Sequence, residues 1–235
     1  MTDTGSATAG LRAVADVLRL ASADRLRVNE IFYSLQGEST RAGRPCVLVR
    51  LTGCHLRCGW CDTAYAFYEG EWLSRAEVLA RVAAFGCPLV ELTGGEPLLQ
   101  PGALPLLADL CNAGYEVLLE TSGAVDIAPV DPRVRRIVDV KCPGSGEVER
   151  NHWPNLDLLR ETDELKLVIA DEADYRWARD LVLERELHRR CPVHFSPVAG
   201  SLDPAALADW ILRDRLPVRL QLQLHKQLWG SARGV

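Results

Sequence analysis

The sequence predicts an α/β fold in which buried, mostly parallel strands alternate with helices. Short apolar runs alternate along the chain with longer segments whose apolar residues recur at helical spacing. Glycine-rich and polar motifs follow several of these runs, as expected at the carboxyl ends of parallel strands, where ligands gather. From this pattern alone, the sheet either closes fully or stays open as a partial barrel.

Each predicted element rests on a local pattern. The strands are predicted at 47–51, 89–93, 116–121, 136–141, 165–170, 193–196 and 218–222. The helices are predicted at 73–85, at 102–112, after Asp171 and after Asp203. Ser74 and Glu77 form a capping box for the first of these helices, and Asp203 followed by Pro204 is typical of a helix start.

Length and composition indicate one large domain with a short extension. The chain has 235 residues and 48% of them are hydrophobic, so a sizeable core can be buried. Residues 1–10 are small and polar and are expected to be disordered, and 11–20 could form a short amphipathic helix. We therefore predict a partly disordered N-terminal extension at 1–26 and a catalytic domain at 27–235.

Charge and cysteine content narrow the class of protein. A net charge of −5 gives no case for a nucleic-acid binder. No apolar run approaches the roughly 20 residues of a membrane span, and no signal-peptide pattern opens the chain. Eight cysteines, three of them within eight positions, fit a reducing compartment. A cytoplasmic protein without nucleic-acid or membrane partners is expected.

Cys54, Cys58 and Cys61 form a C-x3-C-x2-C pattern directly after a predicted strand. Three thiolates at this spacing can hold one four-iron, four-sulfur cluster and leave one iron without a protein ligand. A small chelating molecule can bind there. The alternative is a zinc site completed by His55. Zinc is less favoured, because His55 adjoins Cys54 and the sequence has no second CxxC pair.

With Trp60 before the third cysteine, the motif reads C-x3-C-x-aromatic-C and resembles the signature of the radical S-adenosylmethionine (SAM) superfamily. The segment 93–97, Thr-Gly-Gly-Glu-Pro, is similar to the superfamily's GGE motif, which meets the amino group of SAM. Glycines allow close backbone approach and a carboxylate can accept from an ammonium group. The resemblance implies a four-iron, four-sulfur cluster that reduces SAM to a radical.

Further motifs resemble the 7-carboxy-7-deazaguanine synthase family, from about Val28 to the C-terminus. They are Leu-Gln-Gly-Glu at 35–38, Arg50 before the cysteines, Cys-Asp-Thr at 61–63, Glu-Thr-Ser-Gly at 120–123 and Asp-Val-Lys at 139–141. This resemblance implies a shortened partial (β/α) barrel, a homodimer and a lyase of queuosine and 7-deazapurine biosynthesis. The implied reaction converts 6-carboxy-5,6,7,8-tetrahydropterin to 7-carboxy-7-deazaguanine with loss of ammonia.

The same resemblance implies roles for single residues. The implied substrate contacts are Leu35, Gln36, Gly37, Arg50 and Thr93. The implied SAM contacts are Trp60, Cys61, Asp62, Gly95, Glu96, Asp139, Val140 and Lys141. Thr63 is the implied ligand of a magnesium ion, Mg²⁺. No general acid or base is assigned.

Two other function classes stay open. A glycyl-radical enzyme activase would share the cysteine motif, and a non-catalytic metal-binding module would fit the zinc interpretation. The motifs at 35–38 and 61–63 argue against the activase. In the favoured interpretation, a flavodoxin or ferredoxin supplies the electron. The C-terminal tail differs from family branches that end in a substrate-contacting proline, so Gln223, His225 and the tail either close the pocket differently or lie at the surface.

Overall fold

The computed structural model describes residues 22–235, in which nine strands form a single sheet. The strands are β1 (Arg25–Leu35), β2 (Pro45–Leu51), β3 (Glu71–Ser74), β4 (Leu89–Gly94), β5 (Glu116–Thr121), β6 (Arg135–Val140), β7 (Glu164–Ile169), β8 (Val193–Pro197) and β9 (Arg219–Leu220). Their order is β3-β1-β2-β4-β5-β6-β7-β8-β9. β1 pairs antiparallel with β2 and β3, and all pairs from β2–β4 to β8–β9 are parallel. The sheet has two edges, β3 and β9, so it is open, as in a partial barrel.

Five helices accompany the sheet in this part of the chain. They are α1 (Arg75–Ala83), α2 (Ala103–Asn112), α3 (Glu172–Glu184), α4 (Pro204–Arg213) and α5 (Leu224–Trp229). The predicted capping box is confirmed, since Ser74 accepts from the Glu77 amide and the Glu77 side chain accepts from the Ser74 amide. Asp171 and Asp203 cap α3 and α4 as predicted.

Some element boundaries differ from the prediction. The helix predicted at 73–85 begins at Arg75, because Leu73 pairs with Leu26 in edge strand β3. The strand predicted at 218–222 is reduced to the two residues of β9. Strand β1 begins at Arg25, two residues before the predicted domain start. The disordered segment and short helix expected at 1–20 lie outside the described residues.

The sheet has one apolar face and one face that carries polar residues. In β4, Val90 and Leu92 are buried in the main hydrophobic core, whereas Glu91 and Thr93 line a cavity. This follows from strand geometry, in which successive side chains point to opposite faces. Burying each large aliphatic side chain contributes about 1.5–3 kcal/mol. Within residues 22–235, no helix is long and apolar enough to cross a membrane.

Candidate active site

A cavity of about 820 Å³ lies against the polar face of the sheet and extends to the carboxyl ends of the parallel strands. The loops after β2, β4, β5, β6 and β8 all contribute to its wall. This is the position in α/β folds where ligands bind, because the strand ends bring separate loops together.

Most of the predicted site residues line this one cavity. They are Leu35, Gln36, Gly37, Arg50, Cys54, Cys58, Trp60, Cys61, Asp62, Thr63, Thr93, Gly95, Asp139 and Lys141. Residues separated by more than one hundred positions are therefore brought together.

Glu96 and Val140 lie elsewhere. The Glu96 side chain is fully buried and accepts hydrogen bonds from the Leu98 amide and from the Thr121 and Ser122 side chains. Through these hydrogen bonds, Glu96 connects the loop after β4 to the loop after β5. Val140 is buried in the hydrophobic core, because its side chain points to the opposite face from its neighbours in sequence.

The cysteine loop, residues 54–61, carries three free thiols at increasing exposure. Cys54 is buried, Cys58 is half-buried and Cys61 is exposed. The Cys61 amide donates to the Cys58 carbonyl at 3.1 Å. A Cβ atom on Gly95 would lie 2.5 Å from the Cys54 Cβ atom, so a glycine is needed where the loops after β2 and β4 touch.

The thiols suit a multi-iron cluster better than a single zinc ion. Among residues 22–235, no three Cys, His, Asp or Glu side chains are placed to share one ion. His55, the proposed fourth zinc ligand, does not line the cavity. A four-iron cluster is larger than one ion, so its thiolates surround a wider space. The three cysteines around one cavity fit such a cluster.

Ionisation of the three thiols is linked to metal binding. Burial raises the pKa of all three, that of Cys54 to about 12, whereas the nearby Lys141 ammonium opposes the rise. Without metal these groups are thiols, and binding a cluster releases their protons. Lys141 is itself held by Asp139, with 2.9 Å between Nζ and Oδ2.

Arg50 is oriented by two neighbours at the cavity wall. Its Nε atom donates to Glu30 Oε1 at 2.8 Å, and the Tyr65 hydroxyl donates to the same oxygen at 2.9 Å. The hydrogen bond through Nε leaves the terminal guanidinium nitrogens free of side-chain partners among the described residues. A planar guanidinium can then bind a carboxylate with two parallel hydrogen bonds.

Asp62 and Thr63 are tied to the C-terminal helix. Thr63 donates its hydroxyl hydrogen to Asp62 Oδ1 at 2.9 Å, and Lys226 Nζ lies 2.6 Å from Asp62 Oδ2. Burial opposes ionisation of Asp62, but hydrogen bonding and the charge of Lys226 outweigh it and hold the pKa well below its usual range. Since the Thr63 hydroxyl is a donor here, its oxygen lone pairs remain available to a hard cation.

The C-terminal segment lines the cavity and is also exposed at the surface. Residues 230–235 all contribute to the wall. The Arg233 guanidinium lies 3.8 Å from the centre of the Tyr65 ring. His225 packs against Gly37 so closely that a Cβ atom there would lie 2.5 Å from His225 Nδ1. His225 and the tail therefore lie at the cavity wall.

Sequence reasoning did not predict that four charged residues meet at the base of the cavity, although Glu38 and Glu120 stand in the motifs at 35–38 and 120–123. This cavity floor consists of Glu38, Glu91, Glu120 and Lys166. Lys166 Nζ lies 3.0 Å from Glu38 Oε2 and also pairs with Glu120. A signal was present, because Glu91 and Lys166 are charged residues in the middle of mostly apolar strands. Its meaning was not evident, since the four residues come from separate segments.

Comparisons with known proteins agree with this geometry. The model of the radical SAM superfamily matches residues 48–142. The 7-carboxy-7-deazaguanine synthase of Chlorobaculum tepidum is 51% identical over 214 residues, covering 89% of this chain and 97% of that protein. The synthase of Koribacter versatilis is 46% identical over 219 residues, covering 87% and 97%.

Solved structures support the fold. QueE from Escherichia coli superposes with a TM-score of 0.67 at 24% identity, covering 86% of this chain and 95% of that one. Streptococcus suis SuiB bound to precursor peptide SuiA gives a TM-score of 0.52 at 13% identity, covering 74% and 47%. These matches confirm the predicted α/β fold with a mostly parallel sheet.

The fold and the three-cysteine loop define a radical SAM enzyme, which uses a four-iron, four-sulfur cluster and SAM and acts on a small molecule with a reductant. Within that class, the chain belongs to the 7-carboxy-7-deazaguanine synthase family. The activase and the non-catalytic metal-binding module are not favoured by these relatives.

Proposed function

We propose that the cavity is the site where 6-carboxy-5,6,7,8-tetrahydropterin is converted to 7-carboxy-7-deazaguanine with loss of ammonia. One observation carries this proposal: the three cysteines and the residues matched to substrate contacts line the same cavity. The relatives from Chlorobaculum tepidum and Koribacter versatilis carry the name of this activity. The pathway served is queuosine and 7-deazapurine biosynthesis.

Cys54, Cys58 and Cys61 would hold the cluster, and SAM would lie beside it. When bound, the two supply the radical that removes a hydrogen atom from the substrate. We assign SAM contacts to Trp60, Cys61, Asp62, Gly95, Asp139 and Lys141, all of which line the cavity. Gly95 suits this role because its backbone can approach a ligand closely. Glu96 would act on the same site indirectly, by fixing the loop that carries Gly95.

Arg50 would bind the substrate carboxylate. Glu30, which accepts from the Tyr65 hydroxyl, fixes the guanidinium before substrate arrives, so little side-chain entropy is lost on binding. Thr93 shares this wall of the cavity, and its hydroxyl donates to Glu120 at 3.0 Å. Leu35, Gln36 and Gly37 would lie along the pterin ring.

Thr63 would be a ligand of a magnesium ion. Its hydroxyl is directed by Asp62, and a neutral oxygen is an acceptable ligand for a hard cation. Mg²⁺ prefers six oxygen ligands and retains waters, so substrate oxygens and water would complete the coordination.

We infer that residues 27–235 are the catalytic domain and that the chain acts in the cytoplasm, where its eight free thiols stay reduced. A flavodoxin or ferredoxin would deliver the electron near the exposed Cys61. A homodimer would cover exposed apolar side chains such as Leu212 and Leu228.

The substrate assignment is tested by binding of the carboxytetrahydropterin to the anaerobic, cluster-loaded enzyme. Arg50→Ala should weaken the affinity by about 3 kcal/mol, roughly a hundredfold in Kd, because a buried carboxylate loses its cation. Arg50→Lys should restore part of it, since one ammonium cannot make the paired contact. The cluster absorbance and SAM affinity serve as controls and should not change. Equal substrate affinity in wild type and Arg50→Ala, measured by calorimetry, would remove Arg50 from the site.

A further inference from the structure

Glu91 is a buried carboxyl group without a cation partner. It lies in β4, is 3% exposed and contributes to the cavity wall. No salt bridge reaches it within residues 22–235, because the single ammonium of the cavity floor, on Lys166, pairs with Glu38 and Glu120. Its side-chain partner in the described chain is Gln36, whose Nε2 atom donates to Glu91 Oε2.

The surroundings of Glu91 favour the neutral acid. Burial raises its pKa to about 8, and the neighbouring carboxylates of Glu120 and Glu38 act in the same direction. A neutral carboxylic acid has a carbonyl oxygen that accepts a hydrogen bond and a hydroxyl that donates one. The contact with Gln36 therefore needs no buried charge.

The Gln36 amide is fixed at both of its ends. Nε2 donates to Glu91, and Oε1 accepts from the Glu38 backbone amide at 3.0 Å. An amide group has two N–H donors and an oxygen with two lone pairs. One N–H and one oxygen lone pair thus remain without a partner among the described residues, on a residue that lines the cavity.

We propose that Glu91 is a positioning residue for substrate recognition, acting through Gln36. Glu91 holds the Gln36 amide in one orientation. In this orientation the free N–H and the free oxygen lone pair of the amide face the ligand at fixed positions. The matching group on the substrate is the lactam edge of the pterin ring, where an N–H lies next to a C=O. This inference rests on the proposed function. It adds which edge of the substrate is recognised and which residue holds the recognising Gln36 amide in place.

Loss of Glu91 would leave the Gln36 amide held at its oxygen alone, by the hydrogen bond from the Glu38 backbone N–H. The Nε2 end of the amide would lose its buried partner and could tilt about this single hydrogen bond. The amide would then no longer be held toward the ligand, and the affinity for the lactam edge would fall.

The test is anaerobic calorimetry of the carboxytetrahydropterin on the cluster-loaded full chain with SAM. Glu91→Leu should raise Kd about tenfold, as expected when a buried amide loses its partner. Glu91→Gln should stay within about threefold of wild type, because its carbonyl can still accept from Gln36. Gln36→Ala should weaken binding similarly, and adding Glu91→Leu to it should produce no further loss. In steady-state turnover, Glu91→Leu should raise KM and leave kcat almost unchanged.

Val90→Ala is the matched control, since it lies on the same strand and points into the core. It should lower the unfolding temperature and leave Kd unchanged. Wild-type substrate affinity in Glu91→Leu, or losses that simply add in the double variant, would overturn the inference alone. A wild-type protein that does not bind the carboxytetrahydropterin would overturn the proposed function and the inference with it.

Discussion

The cysteine loop and the cavity floor face the same cavity but are built in opposite ways. The loop places its three thiols within eight consecutive residues, Cys54 to Cys61. The floor takes Glu91 from β4, Glu120 from β5, Lys166 from β7 and Glu38 from the loop after β1. A metal cluster needs ligands at short, fixed spacing, and a local loop provides this. A group of buried charges needs mutual compensation, which only the assembled sheet provides.

This difference predicts that the two regions fail in different ways. Changes in the loop should affect the cluster and leave the fold intact, because the loop residues are not part of the main hydrophobic core. Changes in the floor should affect folding stability or substrate affinity and leave the cluster intact.

The largest effect is expected in the loop. Cys58→Ala should abolish turnover and strip or severely weaken the cluster, because a thiolate ligand is lost. The unfolding temperature of the metal-free protein should change little. Iron content and visible absorbance measure the cluster. Cys87→Ala and Cys111→Ala, at thiols outside the cavity, should retain both activity and cluster. Full activity in Cys58→Ala would contradict the account.

A substitution in the cavity floor should lower the free energy of unfolding. Lys166→Met removes the cation shared by Glu38 and Glu120, and breaking a buried ion pair in this way costs about 3–5 kcal/mol. The midpoint of thermal unfolding should fall by roughly 10 °C for a chain of this size, measured by circular dichroism. Lys226→Met, at the more exposed Asp62 ion pair, should cost far less. Equal losses of thermal stability in Lys166→Met and Lys226→Met would contradict the proposed role of the cavity floor in stability.

A substitution at Thr63 should have a smaller effect, on the Mg²⁺ concentration that turnover requires. Thr63→Ala should raise the Mg²⁺ concentration for half-maximal turnover by about tenfold, the lower end of what lost support at a metal site costs. Thr63→Ser keeps a hydroxyl and should behave like the wild type. Full turnover of a chelator-treated, cluster-intact enzyme would exclude a role for the cation.

A pH dependence of stability is also expected from Glu91. Its pKa is raised in the folded state above the ordinary value of 4.5. The protonated group therefore contributes stability that is complete below about pH 4.5 and is lost as the pH rises toward about 8. Glu120 and Lys166 face the same space, and because Lys166 lowers the pKa of Glu120 and the neighbouring carboxylates raise that of Lys166, both should stay charged in this range. The stability of wild type relative to Glu91→Gln, from urea unfolding, should fall between about pH 5 and pH 8. A constant difference would show that Glu91 is already ionised.

The sequence predicted the loop much better than the floor, for the same structural reason. Cys54, Cys58 and Cys61 are close in sequence, so their spacing indicates their chemistry directly. Strand β4 was predicted correctly, yet the partner of Glu91 depends on how far the loop after β1 reaches across the sheet. Glu96 belongs to a local motif, but its side chain contacts Thr121 and Ser122, which are distant in sequence. The motif alone therefore did not predict the position of the Glu96 carboxylate. The edge strand β3 depends in the same way on pairing with β1, which no local pattern indicates.

The most direct measurement is a single anaerobic turnover experiment with reconstituted enzyme, SAM, Mg²⁺, a reductant and 6-carboxy-5,6,7,8-tetrahydropterin. The account predicts 7-carboxy-7-deazaguanine and ammonia in equal amounts. Arg50→Ala under the same conditions should form far less product while its cluster absorbance stays intact. Cluster-loaded wild-type enzyme that cleaves SAM but leaves the carboxytetrahydropterin unchanged would contradict the central claim.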